Sequence, residues 1–368
     1  MFGRKNTRYA VVGAGWFAQA AVLPGFANAK HAELAAIVSG DATKHKELGE
    51  RYKVPCHTYE QFDGLLASGA IDAVYIVLPN ALHKEYTVRA ARYKVHVLCE
   101  KPLAANAQEC RDMIDACQQA GVKLMTAYRL HLESANLAAV EMIRDGKIGE
   151  PRLFHGLNTQ MIEDEDNSRL EGDLKGGPLM DLGVYCINAA RYTFQDDPIE
   201  VSGFTASLSG AKFAEVPEMV SAILRFPKDR LAAFSCGFGE AKVSEYRVIG
   251  TKGDLKLDPA YSFQSEIELA LTLDGGKPKT TDFRQHDHVG AEIEYFAKCI
   301  QDDKDVEPDG REGMIDLAII DGIKESIKTG RAVKVGPFPS KPRPTGDQEH
   351  KLPQVKQPDL VKSTPPAP

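Results

Sequence analysis

The sequence predicts an α/β doubly wound parallel sheet over residues 1–128 and, over residues 129–336, an α+β domain with a large, mostly antiparallel open sheet. Three observations carry this. Apolar strands alternate with amphipathic helices through the first third of the chain. A Gly-x-Gly-x-x-Ala turn follows the first strand directly. Beyond about residue 150, strands succeed one another through short polar turns, as in antiparallel sheets. At 368 residues the chain is too long for one typical core, and 43% hydrophobic residues suffice to fill two.

Residues 8–13 form a buried strand that runs into Gly13-Ala14-Gly15-Trp16-Phe17-Ala18 and a helix. Gly13 permits the tight turn, Gly15 lets the backbone approach a pyrophosphate, and Ala18 lets helix and strand pack closely. The free N–H groups at the start of that helix then face phosphate charge, with Trp16 and Phe17 in the same turn. The pattern is that of a Rossmann dinucleotide site; a tight turn without a ligand is the bland alternative.

The second strand, residues 33–38, ends in Ser39-Gly40-Asp41, and Lys44 follows within one helical turn. An NAD site usually ends this strand with an acid for the ribose 2′-OH, whereas NADP needs that charge removed and a cation supplied. Ser39, Gly40 and Lys44 therefore favour NADP over NAD. Asp41 could still swing to a ribose, and Ser39 could be only a helix cap with Lys44 a solvated charge.

A helix around residues 60–68 precedes the strand 71–78, which ends at Leu78-Pro79-Asn80, and residues 81–92 form an amphipathic helix. Asn80 and His83 are the polar groups at this strand's carboxyl end and are expected to face the same crevice as Gly15; Asn80 as a helix N-cap is the alternative. In the stretch 95–103, Val95, Val97 and Leu98 make a short buried strand that Pro102 stops. Glu100 and Lys101 then sit where open α/β sheets place their ligands, with the ammonium aimed into the crevice. An ordinary exposed Glu-Lys pair is the alternative. The helix 108–120, closed by Gly121, and the strand 122–127, ending in Tyr128-Arg129, complete the alternation.

A helix at 134–144 leads through Gly146 and Gly149 into candidate strands at 152–157, 199–207, 220–226, 230–237, 244–250, 254–257 and 266–273. Helices at 289–301 and 310–329 would cover that sheet or return to the first domain. From 337 to 368 nine prolines in 32 residues argue against helix or sheet, so an extended tail is expected there, able to lie on a neighbour and given no chemistry.

Between the two regimes lies 176–194. Its glycines bend the chain, Pro178 suits a first helical position, and the apolar spacing that follows is helical. Asp181 and Tyr185 are four apart and project from one face. A tyrosine loses its proton near roughly pH 10, and a neighbouring ammonium favours the phenolate. Hydride transfer from a carbinol needs an acceptor for the hydroxyl proton, which such a tyrosine can be. The alternative is an acid favoured by the helix dipole and a core tyrosine.

Composition excludes several classes. The 45 basic and 52 acidic residues are mixed along the chain for a net charge of −7, with no basic stripe for nucleic acid. No apolar run of roughly 18 residues could span a membrane. The seven cysteines are odd in number and lack a Cys-x-x-Cys pair, several within apolar periodic stretches. The start shows no export segment. A cytoplasmic protein without disulfides or a metal is expected.

Gly13-x-Gly15-x-x-Ala18, Glu100-Lys101-Pro102 and Gly-Gly-x-x-Met-Asp181-x-Gly183-x-Tyr185 together resemble the glucose-fructose oxidoreductase family, the Gfo/Idh/MocA oxidoreductases. Leu23-Pro24-Gly25-Phe26, Leu78-Pro79-Asn80, Tyr128-Arg129 and Ala190-Arg191-Tyr192 are most similar to its glucose-fructose oxidoreductase branch, over roughly residues 8–335. The resemblance implies nicotinamide held at a domain junction over an open sheet, and assembly as a homodimer or homotetramer through the open face. It implies that Lys101 polarises the reacting oxygen, Tyr185 acts as acid/base, and Asp181 orients them and the sugar. Arg129 and Arg169 lie at the cofactor or sugar rim, and Leu78, Pro79 and Glu100 join the cofactor-binding set. The implied reaction oxidises a pyranose aldose at its anomeric carbon to a lactone, or reduces a keto sugar in reverse. Pro178 replaces a frequent third glycine, and the long N-terminal arm of the periplasmic glucose-fructose enzyme has no counterpart. Two other readings compete: a cyclic diol or inositol dehydrogenase, whose relatives generally carry a His in place of Tyr185, and a cofactor-binding regulator, for which Lys101, Asp181 and Tyr185 would be superfluous.

Overall fold

A computed structural model describes residues 6–338 and 343–365. The described chain divides into two compact units: residues 6–129, 286–314 and 350–365 form the first, and residues 130–285, 315–338 and 343–349 the second.

The first unit holds six parallel strands: β1 (Thr7–Val12), β2 (Ala32–Val38), β3 (Cys56–His57), β4 (Ala73–Ile76), β5 (His96–Glu100) and β6 (Leu124–Ala127). Their order, β3-β2-β1-β4-β5-β6, reverses direction between β1 and β4, the switch point at which open α/β sheets bind ligands. Val12 lies beside Val38 and beside Ile76, so Gly13, Ser39 and Val77 emerge together at the carboxyl edge. The strands are apolar along nearly their whole length, as strands covered on both faces must be. The connecting helices are α1 (Leu23–Gly25, entered through a π-type turn at Ala18–Val22), α2 (Ala42–Tyr52), α3 (Phe62–Ala67), α4 (His83–Arg92) and α5 (Ala107–Ala120). β3, two residues long, was too short to be legible. A later helix, His288–Gln301, packs on β1 and β2, where the Tyr9 hydroxyl donates to the Ile293 carbonyl at 3.2 Å.

The second unit begins with α6 (Ser134–Arg144) and β7 (Pro151–Met161), followed by α7 (Val184–Phe194), β8 (Glu200–Ala206), β9 (Met219–Phe226) and β10 (Arg230–Gly237). Then come β11 (Gly239–Gly250), β12 (Gly253–Asp258), β13 (Ile267–Leu273), β14 (Lys279–Phe283), α8 (the helix His288–Gln301 of the first unit), α9 (Gly310–Thr329) and β15 (Val333–Lys334). The nine strands pair in the order β14-β13-β12-β11-β7-β10-β9-β8-β15, antiparallel except for β7 with β10. The expected mostly antiparallel sheet is therefore present. β14 and β15 are additions at its two edges: one is polar and exposed, the other only two residues long, and neither bears an apolar alternation.

Along β7, Phe154 and Asn158 are buried while Leu153 and Leu157 are exposed, so one face of the sheet is covered and the other open. Leu157, Phe204 and Ile223 share the open face with His155, Ser202 and Ser235. On the covered side a fully buried ion network replaces part of the apolar core. The Arg191 guanidinium donates to Asp197 at 2.8 Å and to Asp316 at 2.5 Å. Asn188 joins Asp316 to His131.

The Pro-rich tail does not lie loose. Its described residues carry one 3₁₀ turn, Gly346–Gln348, closed by a Thr345/Gln348 capping box, so the prolines did not exclude helical turns where none stands. Within the second unit, buried Arg343 donates to Asp197 at 2.9 Å. Within the first, the Leu352 carbonyl accepts from Asp287 N–H at 3.0 Å and the Gln19 amide clasps Val361. The tail thus packs on its own chain through specific polar side chains.

Candidate active site

Gly13 has φ +101°, and a Cβ placed there would stand 2.3 Å from the Val77 carbonyl oxygen, with Leu78 beside it. Only glycine fits. A Cβ at exposed Gly15 would meet nothing within 4 Å, so backbone N–H groups and open space coincide at this turn, as a diphosphate requires. Trp16 and Phe17, half-buried and 6.2 Å apart between ring centroids, continue the turn. The next residues form a π-type turn, a widening that recurs at functional sites. This geometry fits a dinucleotide.

At the end of β2, the α2 cap is Asp41 and not Ser39: Asp41 Oδ1 accepts from Thr43 N–H at 2.8 Å and Lys44 N–H at 3.0 Å. Buried Ser39 is thereby spared the capping role, and Gly40 packs near the Tyr59 ring. Lys44 is partly buried; burial lowers its ammonium's pKa below the usual lysine value.

At the end of β4, Pro79 occupies the cap position of the 3₁₀ turn Asn80–Leu82, so half-buried Asn80 does not serve as an N-cap. His83 corrects an expectation. Its ring is fully buried and does not face a crevice: Nε2 lies 2.8 Å from the Leu78 carbonyl and Nδ1 3.0 Å from the Pro102 carbonyl. Burial holds the imidazole pKa low, and the ring ties the strand end carrying Asn80 to the one carrying Lys101. The sequence placed His83 at the right edge, but it follows the 3₁₀ turn Asn80–Leu82 and opens α4 with its ring turned inward.

Buried Glu100 is not an ordinary surface partner of half-buried Lys101. The Tyr75 hydroxyl donates to Glu100 Oε1 at 2.7 Å and lies 3.5 Å from Glu292 of α8. Burial raises the Glu100 carboxyl's pKa above its ordinary value despite the adjacent Lys101 cation. Glu292 is pushed well above its ordinary value, by burial first and then by the Glu100 charge, so the pair favours holding a proton beyond the usual carboxylate range. Buried Arg129 sits nearby with Nη1 3.5 Å from His288 Nδ1, and burial followed by the Arg129 charge brings His288 down to about 3. Tyr75, Glu292 and His288 were missed because nothing local marks a buried polar residue in an apolar strand or a helix distant in sequence.

In the second unit, the chain entering α7 forms a π-type turn at Leu179–Gly183 in place of a regular first turn. Gly183 is the reason it can: a Cβ there would stand 3.1 Å from Cys236 Sγ and 3.3 Å from the Phe234 ring of β10. Asp181 lies on this turn and Tyr185 follows on α7; both are half-buried. Arg169, on a 3₁₀ turn capped by Asn167, donates through Nε to Asp181 Oδ2 at 2.8 Å. Arg169 and Asp181 therefore meet as one charged pair. The Tyr185 ring stands 5.9 Å from that of Tyr261. Lys324 of α9, unremarked in the sequence, approaches Met180 Sδ at 3.4 Å and is held below the usual lysine pKa by burial.

The model of the GFO/IDH/MocA oxidoreductase family, described as an NAD-binding Rossmann fold, matches residues 7–128, and the GFO/IDH/MocA C-terminal domain matches residues 136–256. The chain belongs to the GFO/IDH/MocA oxidoreductase family. It is 35% identical over 336 residues to a D-xylose 1-dehydrogenase [NADP(+)] of Haloarcula marismortui, covering 89% of this chain and 93% of that one. A D-xylose 1-dehydrogenase (NADP(+)) of Haloferax volcanii is 30% identical over 328 residues, covering 89% and 99%. Among solved structures, the aldose-aldose oxidoreductase of Caulobacter crescentus in complex with glycerol superposes with a TM-score of 0.86 at 35% identity, over 90% of this chain and all of that one. Among the described residues, no helix is long and apolar enough to cross a membrane.

Proposed function

We propose that this member of the family is an NADP-dependent oxidoreductase that oxidises a pyranose aldose at its anomeric carbon to the lactone. The observation that carries this is the likeness to two NADP-dependent D-xylose dehydrogenases along 89% of the chain. The open glycine turn, with Ser39 and Lys44 at the neighbouring strand end and Asp41 committed to capping, supports NADP over NAD. When bound, the nicotinamide supplies the hydride acceptor. The chain's own residues handle the rest. Lys101 holds the reacting oxygen, Tyr185 takes the hydroxyl proton, and Asp181, fixed by Arg169, orients the sugar. Gly13, Gly15, Trp16 and Phe17 hold the diphosphate side, with Leu78, Pro79, Asn80 and Arg129 toward the nicotinamide. Glu100 and His83 act through the Lys101 loop.

We read the open face of the nine-stranded sheet as the homo-oligomer surface, because Phe204 is 75% exposed and Ile223 53% exposed on it. Seven free cysteines, six of them buried, fit a reducing cytoplasm. The likeness to an aldose-aldose oxidoreductase favours a second reading in which a second sugar takes the hydride back before the nicotinamide leaves. Nicotinamide that co-purifies and cycles without exchange would identify that case.

The test pairs the wild type with Tyr185→Phe, each mixed with NADP and a panel of aldoses including D-xylose. Lactone and reduced nicotinamide should form with the wild type. The variant's kcat should fall at least about a hundredfold with NADP affinity intact, as for a lost general base. Near-normal turnover would remove Tyr185 from the chemistry.

A further inference from the structure

The C-terminal tail reaches the side of the glycine turn where a 2′-phosphate would sit. Arg51, at the end of α2, donates to the Asp359 carbonyl at 2.7 Å. Two residues on, buried Val361 is clasped on both backbone groups by one side chain: its N–H donates to Gln19 Oε1 at 2.7 Å, and its carbonyl accepts from Gln19 Nε2 at 3.0 Å. The same Gln19 nitrogen donates to the Ala14 carbonyl within the glycine turn at 2.9 Å. Lys362 follows, and its Nζ lies 3.2 Å from Asp41 Oδ2. Lys44 interacts with the charges of both Asp41 and Lys362, so the Asp41 carboxylate has a cation from α2 and one from the tail around it.

Asp41 presents a difficulty that this arrangement resolves. Its carboxylate, three residues past the end of β2, is fixed at the α2 start by the N–H groups of Thr43 and Lys44 and would repel a 2′-phosphate there. Asp41 and Lys44 alone sum to no net charge. Lys362, brought from 321 positions away, makes the subsite positive by one unit. Clasping Val361 in a buried position orders the backbone beforehand, so placing that ammonium does not require ordering the tail on binding.

We propose that Lys362 is a specificity-determining residue for the cofactor's 2′-phosphate, entering the subsite beside Ser39 and Lys44 and offsetting Asp41; this rests on the NADP reading above. Lys362 is mostly exposed, so replacing it leaves the clasp and the fold in place. The test measures binding of NADPH and NADH by nicotinamide fluorescence, and of adenosine 2′-phosphate and adenosine by calorimetry, to the wild type, Lys362→Ala and Lys362→Arg. The expected result is an about tenfold weaker hold on NADPH and adenosine 2′-phosphate in Lys362→Ala, as for one charge-assisted hydrogen bond. NADH and adenosine should stay within about twofold, and Lys362→Arg should restore the preference. Equal weakening of all four ligands would make the tail a mere cover and overturn the proposal, as would no weakening in a wild type that prefers NADPH. A wild type that holds NADPH and NADH alike would overturn the cofactor reading itself, and the proposal with it.

Discussion

Gly13 and Gly15 stand two residues apart in one turn, yet alanine should do opposite things at the two. At Gly13 the added methyl would sit 2.3 Å from the Val77 carbonyl oxygen on a backbone with φ +101°. A carbon and an oxygen in contact need roughly 3.2 Å, so an overlap of about 1 Å must be relieved by moving β1 or β4. Strained backbone contributes about 1–3 kcal/mol and overpacking about as much again. The expected loss is at least about 3 kcal/mol, or a fall in Tm of at least about 6 °C for a unit of this size. At Gly15 the methyl meets nothing within 4 Å and φ is not positive, so Gly15→Ala should leave Tm within about 2 °C. It fills the space into which a diphosphate must come, and NADPH affinity should fall at least about tenfold. Differential scanning calorimetry and fluorescence titration of both variants read the two quantities separately. A stable Gly13→Ala, or a Gly15→Ala that binds NADPH normally, would refute this account of the turn.

Arg191→Leu should destabilise by about 3–5 kcal/mol, because Asp197 and Asp316 lose the cation they share in a fully buried site; an unchanged unfolding midpoint in denaturant would show that the network contributes nothing. The Glu292 carboxyl, held well above its ordinary pKa by burial and by Glu100, gives a signed pH effect. Above the unfolded value of about 4.3 the unfolded chain releases this proton while the native state keeps it, so stability falls as pH rises toward the raised native pKa. Glu292→Gln should therefore gain more stability over wild type at pH 8 than at pH 5, by thermal unfolding at both. A gain larger at the acid end would contradict a protonated Glu292.

The parallel sheet was legible because each of its strands except β3 is a short, largely apolar run bounded by glycine, proline or a polar turn. The short or polar edge strands β3, β14 and β15 lacked that signal. Candidate site residues were sought at strand ends, and the structure does place Gly13, Ser39, Asn80 and Lys101 just past the carboxyl ends of β1, β2, β4 and β5. The strand-end rule misjudged His83, since it knows position along the chain but not the angle at which a helix leaves the sheet. Composition pointed only to an extended tail able to lie on a neighbour, not to where it is held. Its hold depends on single residues, Arg343 on Asp197, Val361 on Gln19 and Lys362 on Asp41, whose partners lie far away in sequence. No local pattern encodes such pairs.

The most direct measurement follows the hydrogen on the anomeric carbon. An aldose deuterated there, turned over with NADP, should yield nicotinamide carrying the deuterium and a lactone without it, with a slowed hydride step. Deuterium left in the sugar while nicotinamide is reduced would place the oxidation at another carbon, and deuterium appearing in water would mean that no hydride passes.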